Sequence, residues 1–288
     1  MLTRLLFPCR RRHVTAALAF ALHLLPFIAP EAQGQRRQAL DASNCQLESG
    51  GESTVMAVAG PQTLHLADGR FVRLAEVLVP SASPGSGFDP SLAATAYLRS
   101  AALGRKVEVR FGGNRRDRYG VYIAHVYVAG DPPSWLQDGL LSAGLAQAFP
   151  QADNHACTRQ LVSFEAKARL ENRGHWGLAL FKVQPARDTR AILNLVQTYQ
   201  IVEGKVDHAS EAGGRVFLHF HKEEKFGFTA VIESTAQKRF TEQNYEDWKG
   251  KTIRVRGWVE RKKGPAITVA QPEQIELVYQ PADSAPSR

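Results

Sequence analysis

Residues 63–74 read TLHLADGRFVRL, and this stretch decides the architecture of the first half of the chain. Apolar and polar side chains alternate on both sides of Asp68-Gly69, as expected for strands that bury one face. An Asp-Gly pair between two such runs favours a tight hairpin turn. We therefore predict two antiparallel strands, 63–67 and 71–79, joined at Asp68-Gly69-Arg70.

Further short alternating runs flank this hairpin and predict more strands. They lie at residues 54–58, 106–111 and 122–128. Three helical patterns interrupt them, at 90–102 behind a capping Asp89, at 135–143, and at 155–172 before Gly174. Five strands with three helices predict a small closed barrel covered by helices.

A second unit follows a predicted linker helix. Its predicted strands are residues 199–209, 215–221, 227–232, 251–260 and 266–269, with a helical segment at 235–248. Three strands, a helix and two strands are the order of the barrel type that binds oligonucleotides and oligosaccharides, the OB-fold. The predicted fold class is mainly β with helices, in two OB-type five-stranded barrels.

The N-terminus resembles a targeting segment. Four arginines, Arg4 and Arg10 to Arg12, precede an apolar run at 14–29, and Ala32-Gln33-Gly34 offers small residues for cleavage. We predict a signal peptide and hence export to the periplasm or the medium. The alternative is a retained membrane anchor, although the run is shorter than the roughly 20 residues that a span needs.

Charge and cysteine content agree with an exported, mildly basic protein. The formal net charge of +8 permits binding of polyanions but equally suits ordinary solubilising charge. Beyond the leader the cysteines are Cys45 and Cys157, which predict a disulfide rather than two free thiols. The predicted division is a signal peptide at 1–34, an N-terminal arm at 35–51, a first barrel at 52–180, a linker helix at 181–198, a second barrel at 199–280 and a disordered tail at 281–288.

Several motifs of the first unit occur together and in a fixed order. They are Asp68-Gly69-Arg70-Phe71-Val72-Arg73-Leu74, Asp117-Arg118-Tyr119-Gly120, Gly144-Leu145-Ala146, Glu165-Ala166-Lys167-Ala168-Arg169 and Gly174-His175-Trp176-Gly177. Together they resemble the staphylococcal nuclease, or thermonuclease, family over about residues 52–177. The resemblance implies phosphodiester cleavage with a calcium ion held by carboxylates, a glutamate that activates water, and two arginines that neutralise the phosphate.

This chain departs from the family at most of the catalytic positions. Gln62 and Leu78 stand where the family has metal-binding carboxylates, Ser81 replaces the catalytic glutamate and Val121 replaces the second arginine. Of these five positions Arg73 alone is retained. We therefore predict no catalytic residues, no metal site and no cofactor, with calcium required only if a rearranged site is active.

The second barrel offers a candidate binding surface. Strand alternation places Phe217 and His219 on one face of their strand, and Arg254, Arg256 and Trp258 on the outward face of theirs. With Arg73, these residues form the predicted ligand-binding set, because aromatic rings and arginines together bind bases and phosphates. The alternative is that the first barrel or the linker helix covers this face.

Two functions follow from these patterns. The first is a non-catalytic binding or scaffold module for a polyanion such as nucleic acid, for a glycan or for an envelope protein. The second is an active calcium-dependent endonuclease with a rearranged site. A purely structural envelope component is a third possibility.

Overall fold

The computed structural model describes residues 45–81, 85, 87–222, 226–240 and 245–278. The predicted signal peptide at 1–34, most of the predicted arm and the tail at 281–288 lie outside this range. Within it, no helix has both the length and the apolar character that crossing a bilayer requires.

The first barrel closes from five strands, as predicted. They are β1 (Glu48–Gly60), β2 (Thr63–Leu66), β3 (Phe71–Leu74), β5 (Lys106–Phe111) and β6 (Tyr122–Val128). Their order is β3-β2-β1-β5-β6, and parallel pairing of β3 with β6 completes the ring. The predicted hairpin turn is present, since the Asp68 carboxylate accepts from the Arg70 amide at 3.1 Å.

The predicted strand at 71–79 was wrong in one respect, because it breaks after Leu74. Glu76 has a positive φ of 58°, a conformation that turns the chain out of the barrel wall. Residues Val77–Leu78 then form β4, which pairs with β8 (Gln147–Ala148). A two-residue strand β7 (Ser134–Trp135) extends the barrel sheet beside β6.

Helices cover the first barrel at the predicted places. They are α1 (Pro90–Ala102), α2 (Leu136–Ser142) and α3 (Thr158–Leu170). Asp89 caps α1 by accepting hydrogen bonds from the amides of Ser91 and Leu92 at 2.8 and 3.2 Å. The helices bury apolar faces that include Leu98, Leu140 and Leu161 against the strands.

A buried carboxylate and the predicted disulfide anchor the start of α3. Glu76 accepts from the Cys157 amide at 3.0 Å and from the Thr158 hydroxyl at 2.6 Å, and it contacts His125 at 3.2 Å. Cys157 forms the disulfide with Cys45, which confirms the predicted pairing. The break at Glu76 thus brings a polar side chain into the core where several donors satisfy it.

The second unit is a curled sheet with OB-type strand order. Its strands are β9 (Gln184–Pro185), β10 (Tyr199–Lys205), β11 (His208–Ala212), β12 (Arg215–His219), β13 (Thr229–Ile232), β14 (Thr252–Arg261), β15 (Pro265–Val269) and β16 (Ile275–Leu277). Their order is β11-β12-β13-β15-β14-β10-β9, and β16 pairs with β14. Since β10 leads into β11 after two residues, the sheet curls back on itself. The predicted fold class is confirmed.

Two predicted elements of the second unit differ in detail. The predicted strand at 199–209 splits at Val206, whose amide and carbonyl bond instead to Lys251 and Gly250. The predicted helix at 235–248 is represented by two 3-10 turns, Gln237–Phe240 and Tyr245–Trp248. Residues 241–244 between them lie outside the described range. The linker region contains the short helix α4 (Thr189–Leu193).

A buried ion-pair network joins the two barrels. Arg256 of β14 donates two parallel hydrogen bonds to Glu165 of α3, at 2.9 and 3.0 Å, and also contacts Glu276 of β16. Arg169 bonds both acids, at 2.7 Å to Glu165 and 3.2 Å to Glu276. The bidentate geometry matches the fork of a guanidinium to a carboxylate. Two arginines and two acids therefore neutralise one another between the barrels.

Backbone groups of β8 complete this network. The Ala148 amide donates to Glu165 at 2.6 Å, and its carbonyl accepts from Arg256 and from the Tyr199 hydroxyl, each at 3.1 Å. Burial opposes ionisation of Arg256, but the charges of Glu165 and Glu276 outweigh it and raise the pKa of Arg256. The guanidinium therefore stays charged inside the interface.

An apolar cluster lies beside the ion pairs. Trp176 and Phe181, which follow α3, pack with Ala168 of the helix and with Ile201 of β10. Trp176 and Ile201 are almost completely buried. Burial of this apolar surface stabilises the contact between the barrels. The buried ion pairs alone need not do so, because desolvation of the charges offsets their attraction.

Close backbone packing explains two glycines, Gly144 after α2 and Gly174 after α3. An added Cβ on Gly144 would lie 2.1 Å from the Arg173 carbonyl oxygen, and one on Gly174 would lie 2.2 Å from the Gly144 carbonyl oxygen. His175 Nδ1 donates to that Gly144 oxygen at 2.6 Å. Burial lowers the pKa of His175 to about 4, although the Gly144 hydrogen bond opposes the shift.

We expect Arg256→Ala to lower the free energy of unfolding by about 3–5 kcal/mol, because Glu165 and Glu276 lose their buried counter-charge. Urea denaturation of the full chain measures this. Arg254→Ala is the matched control from the same strand. Arg254 forms a half-exposed pair with Glu203 at 2.6 Å, so its loss should cost less than about 1 kcal/mol. Equal effects for the two variants would contradict the role assigned to Arg256.

His175 should make the protein less stable as the pH falls. The unfolded side chain takes up a proton near pH 6.5, whereas the folded one does so only near pH 4. Stability is therefore present above the unfolded pKa and decreases by roughly 2–3 kcal/mol between pH 6.5 and pH 4.5. Denaturant unfolding across this range should show that the free energy of unfolding depends less on pH in His175→Gln than in the parent. An equal pH dependence of stability in the parent and in His175→Gln would contradict the role assigned to His175.

Candidate functional site

The retained arginine lies in a cleft at one side of the first barrel. Arg73 belongs to β3, and the cleft has a volume of about 610 Å³. Its lining includes Asn114, the run Arg116 to Tyr119, Ile123 and the run Gln151 to Asn154. Three arginines, Arg73, Arg116 and Arg118, therefore face two aspartates, Asp117 and Asp153.

Arg73 forms an ion pair inside this cleft. Its guanidinium lies 2.9 Å from Asp117 Oδ2, while Asp117 Oδ1 accepts from the amides of Tyr119 and Val121 at 2.9 and 3.0 Å. Partial desolvation opposes ionisation of Asp117, but these hydrogen bonds and the Arg73 charge keep its pKa below the usual value. Asp117 therefore holds both the 117–121 turn and Arg73.

The loop beside Arg73 presents cations and an aromatic ring to solvent. Arg116 and Arg118 are exposed, and the Tyr119 side chain is 75% accessible. The Arg118 guanidinium lies 4.8 Å from the centre of the Tyr119 ring. Arg116 contacts the Tyr122 hydroxyl and lies 4.2 Å from the centre of that ring. Guanidinium groups held over aromatic rings are pre-ordered for contacts to phosphate.

The residues predicted to stand at the family's catalytic positions make other contacts here. The Gln62 side-chain oxygen accepts from the Val79 amide at 3.0 Å and so joins β2 to the segment after β4. Leu78 pairs with Gln147 in the short sheet of β4 and β8. Ser81 is exposed. Val121 is half-buried and donates its amide to Asp117.

These side chains do not fit a calcium ion. Calcium takes 6–8 oxygen ligands, most often carboxylates, whereas this corner offers one engaged amide oxygen, an aliphatic side chain and a hydroxyl. Among the described residues, the group with metal-ligand chemistry is Glu76, His125 and Cys157. That group is buried in the core, and the Cys157 sulfur is already bonded to Cys45.

The predicted binding surface of the second barrel is divided by the fold. Phe217 and His219 line a depression of about 460 Å³ over β11, β12 and β13, together with Arg215 and Lys263. His219 is largely buried, and its ring stacks on His208 with centres 4.5 Å apart. Arg254, Arg256 and Trp258 do not line this depression.

The prediction that Arg256 lies on an exposed face was wrong. Its side chain is 0% exposed, because α3 and β8 of the first barrel cover the outward face of β14 at that position. Arg254 is half-exposed and paired with Glu203. Trp258 remains 47% exposed. Strand alternation correctly predicted that Arg256 points away from the core of the second barrel. It could not predict that the first barrel covers that face.

Sequence reasoning missed Arg116 and Gln151 as lining residues of the cleft. A signal for Arg116 was present in the run Asn114 to Tyr119, which combines three arginines with an aromatic residue in a loop. No comparable local signal marks Gln151, which reaches the cleft because the 151–154 segment folds back on the 113–114 segment.

Comparison with known families agrees with the geometry. Residues 72–177 match the family described as staphylococcal nuclease homologue. No curated protein matches the chain. The matched residues include Arg73, the 117–121 turn and the motifs that carry Gly144, Glu165 and Gly174, all within the first barrel and its helices. The first barrel is therefore a staphylococcal nuclease-like domain.

Proposed function

We propose that this is an exported nuclease-like protein that no longer hydrolyses phosphodiesters and that binds nucleic acid, or a related polyanion, in the cleft around Arg73. Export is supported by the basic and apolar character of residues 1–34. The Cys45–Cys157 disulfide adds support, because such bonds persist in oxidising compartments. The protein therefore acts in the periplasm or outside the cell.

One observation carries the binding proposal. The cleft has a cationic side, with Arg73, Arg116 and Arg118 next to the exposed ring of Tyr119. Phosphate contacts by arginines supply most of the affinity of non-specific nucleic-acid binding. An exposed aromatic ring adds stacking for an unpaired base. Nuclease-like domains bind nucleic acids as substrates. Nucleic-acid binding by this domain therefore requires no surface outside those its family already uses.

Loss of hydrolysis follows from the chemistry of the replaced positions, which do not line the cleft. Cleavage needs a general base or metal-bound water at the phosphorus and fixed positive charge on its oxygens. Gln62, Leu78 and Ser81 supply neither a base nor a set of carboxylates. Val121 supplies no second guanidinium. Arg73 remains, but its guanidinium binds an anion without activating water.

The rival function is a calcium-dependent endonuclease with a rearranged site. Asp117 and Asp153 are the acids that line the cleft within the described chain, and they are the starting point for such a site. Against it, both oxygens of Asp117 are engaged, by Arg73 and by two backbone amides. A single exposed aspartate does not cage a calcium ion.

We expect purified mature protein to leave single- and double-stranded DNA and RNA intact, with calcium and with chelator. Gel analysis of labelled substrates measures this. Arg73→Ala serves as the control for contaminating nuclease, since a contaminant acts equally in both preparations. Calcium-dependent cleavage that disappears in Arg73→Ala would contradict the loss of activity.

We expect Arg116→Ala combined with Arg118→Ala to weaken binding of a single-stranded oligonucleotide. The slope of log K against log salt should fall by roughly one to two units, because two phosphate contacts are lost. Fluorescence anisotropy at several salt concentrations measures this. The matched control is Arg99→Ala with Arg187→Ala, which removes the same charge from exposed positions outside the cleft.

Heparin and a neutral glycan are tested as ligands in the same binding assay. Binding of heparin alone indicates a general polyanion, and binding of the neutral glycan indicates a sugar site. An unchanged salt slope in Arg116→Ala with Arg118→Ala would contradict the cleft as the binding site. Absence of binding to all of these ligands would favour the envelope-protein role.

A further inference from the structure

The second barrel places an exposed tryptophan beside the former catalytic corner. Trp258 of β14 and Leu78 and Ser81 of the first barrel line one depression of about 260 Å³. Leu78 and Ser81 are the positions where the family has a metal carboxylate and the catalytic glutamate. The corner that lost its acids is thus shared between the barrels.

This depression and the cationic cleft each share lining residues with a third hollow. An intermediate depression of about 310 Å³ shares Tyr199 and Trp258 with the pocket at Leu78, and it shares Gln151 and Ala152 with the cleft at Arg73. Three hollows are therefore linked through shared lining residues, and we refer to them together as the groove. It leads from Arg118 and Tyr119 at one end to Trp258 at the other.

The two ends of the groove differ in charge. The end at Trp258 has no ionisable acid or base apart from the Tyr199 phenol among its described lining residues. Its walls are aromatic and aliphatic side chains with amides and hydroxyls, among them Phe181, Leu180, Gln197 and Thr198. The other end carries the arginines. In the intermediate hollow the acid is Glu260, which lies 3.3 Å from Lys262.

Trp258 is held in place by the interface between the barrels. Its ring meets Tyr199 edge to face, with centres 5.7 Å apart. Tyr199 is buried, and its ring meets that of Phe149 edge to face with centres 5.2 Å apart. Its hydroxyl donates a hydrogen bond to the Ala148 carbonyl oxygen. A ring supported in this way loses little conformational entropy when it binds a flat ligand.

We propose that the hollow beside Trp258 binds an unpaired nucleobase of a single strand whose phosphates lie on Arg116 and Arg118. This proposal rests on the proposed function and names its ligand as single-stranded nucleic acid. The occupant follows from the charge pattern: phosphates at the arginine end, and a neutral flat ring at the uncharged end. Stacking on Trp258 and hydrogen bonds to amide groups suit a base of any sequence.

The size of the hollow agrees with one ring system. Its volume of about 260 Å³ is below the range of roughly 300–1,000 Å³ that holds drug-sized ligands. A duplex cannot use this hollow, because its bases are stacked and paired. Single strands are therefore preferred over duplexes of equal charge.

Tryptophan fluorescence of the full mature chain tests the proposal. Trp176 and Trp248 are buried and Trp135 is half-buried, so Trp258 is the most accessible indole among the described residues. Titration with a single-stranded oligonucleotide should quench emission and report affinity. An abasic oligonucleotide of equal length keeps every phosphate and lacks the bases. It should bind about tenfold more weakly and cause no quenching.

Three variants separate stacking from charge. Trp258→Ala should bind the normal strand about tenfold more weakly in anisotropy, and the difference between the normal and the abasic strand should become smaller than in the parent. Trp258→Phe should lose the quenching yet keep most of the affinity, because it keeps a ring. Phe226→Ala removes another exposed aromatic, 69% accessible and outside the groove, and should behave like the parent.

The outcomes distinguish this inference from the proposed function. If Trp258→Ala matches the parent while Arg116→Ala with Arg118→Ala binds weakly, the base pocket is overturned and polyanion binding stands. Equal affinity for normal and abasic strands in the parent also overturns it. If the parent binds heparin but no strand, the base pocket is overturned and polyanion binding stands; if it binds neither, both proposals fall.

Discussion

The two hydrogen bonds from Arg256 to Glu165 are the contact on which the arrangement of this protein depends. They join a strand of the second barrel to a helix of the first, and both side chains are fully buried. A charge in such a place is costly unless it is paired and hydrogen-bonded. Glu276, Arg169 and the backbone of Ala148 supply the remaining partners. The barrels are therefore held in one geometry, with the apolar contacts of Trp176 and Ile201 beside the charges.

That geometry determines what surrounds the corner of Leu78 and Ser81. Ala148, which accepts from Arg256 and Tyr199, lies in the short sheet with Val77, next to Leu78. The same interface supports Tyr199 and, through it, Trp258. Leu78 and Ser81, predicted to replace acids of the family, therefore lie beside the second barrel. The corner has uncharged walls and one exposed indole.

The cleft illustrates how binding and catalysis separate chemically. Binding a phosphate requires positive charge in a suitable place, and Arg73, Arg116 and Arg118 provide it. Cleaving the phosphate also requires an activated water and charge stabilisation that develops with the reaction. These demands fall on different side chains, so the second set can be lost while the first remains. The proposed function applies this separation to a barrel whose similarity to the nuclease family rests on residues 72–177.

Much of the fold was predictable because its signals are local. Alternation, the Asp68-Gly69 turn and the Asp89 cap each involve residues close in the chain, and each was confirmed in the structure. The break at Glu76 was not predictable in this way. Its positive φ is stabilised by donors from Cys157 and Thr158, about eighty positions away. The same limit applies to the split of the strand at Val206.

The sequence by itself determined the two barrels, the cysteine pair and the chemical identity of the replaced positions Gln62, Leu78, Ser81 and Val121. Tertiary structure alone decided that Arg256 is buried, that Trp258 lies beside Leu78, and that Gln151 links the hollows of one groove. The physical reason is that alternation along a strand tells which way a side chain points. What covers that side chain depends on elements about a hundred residues away, and no local pattern records them.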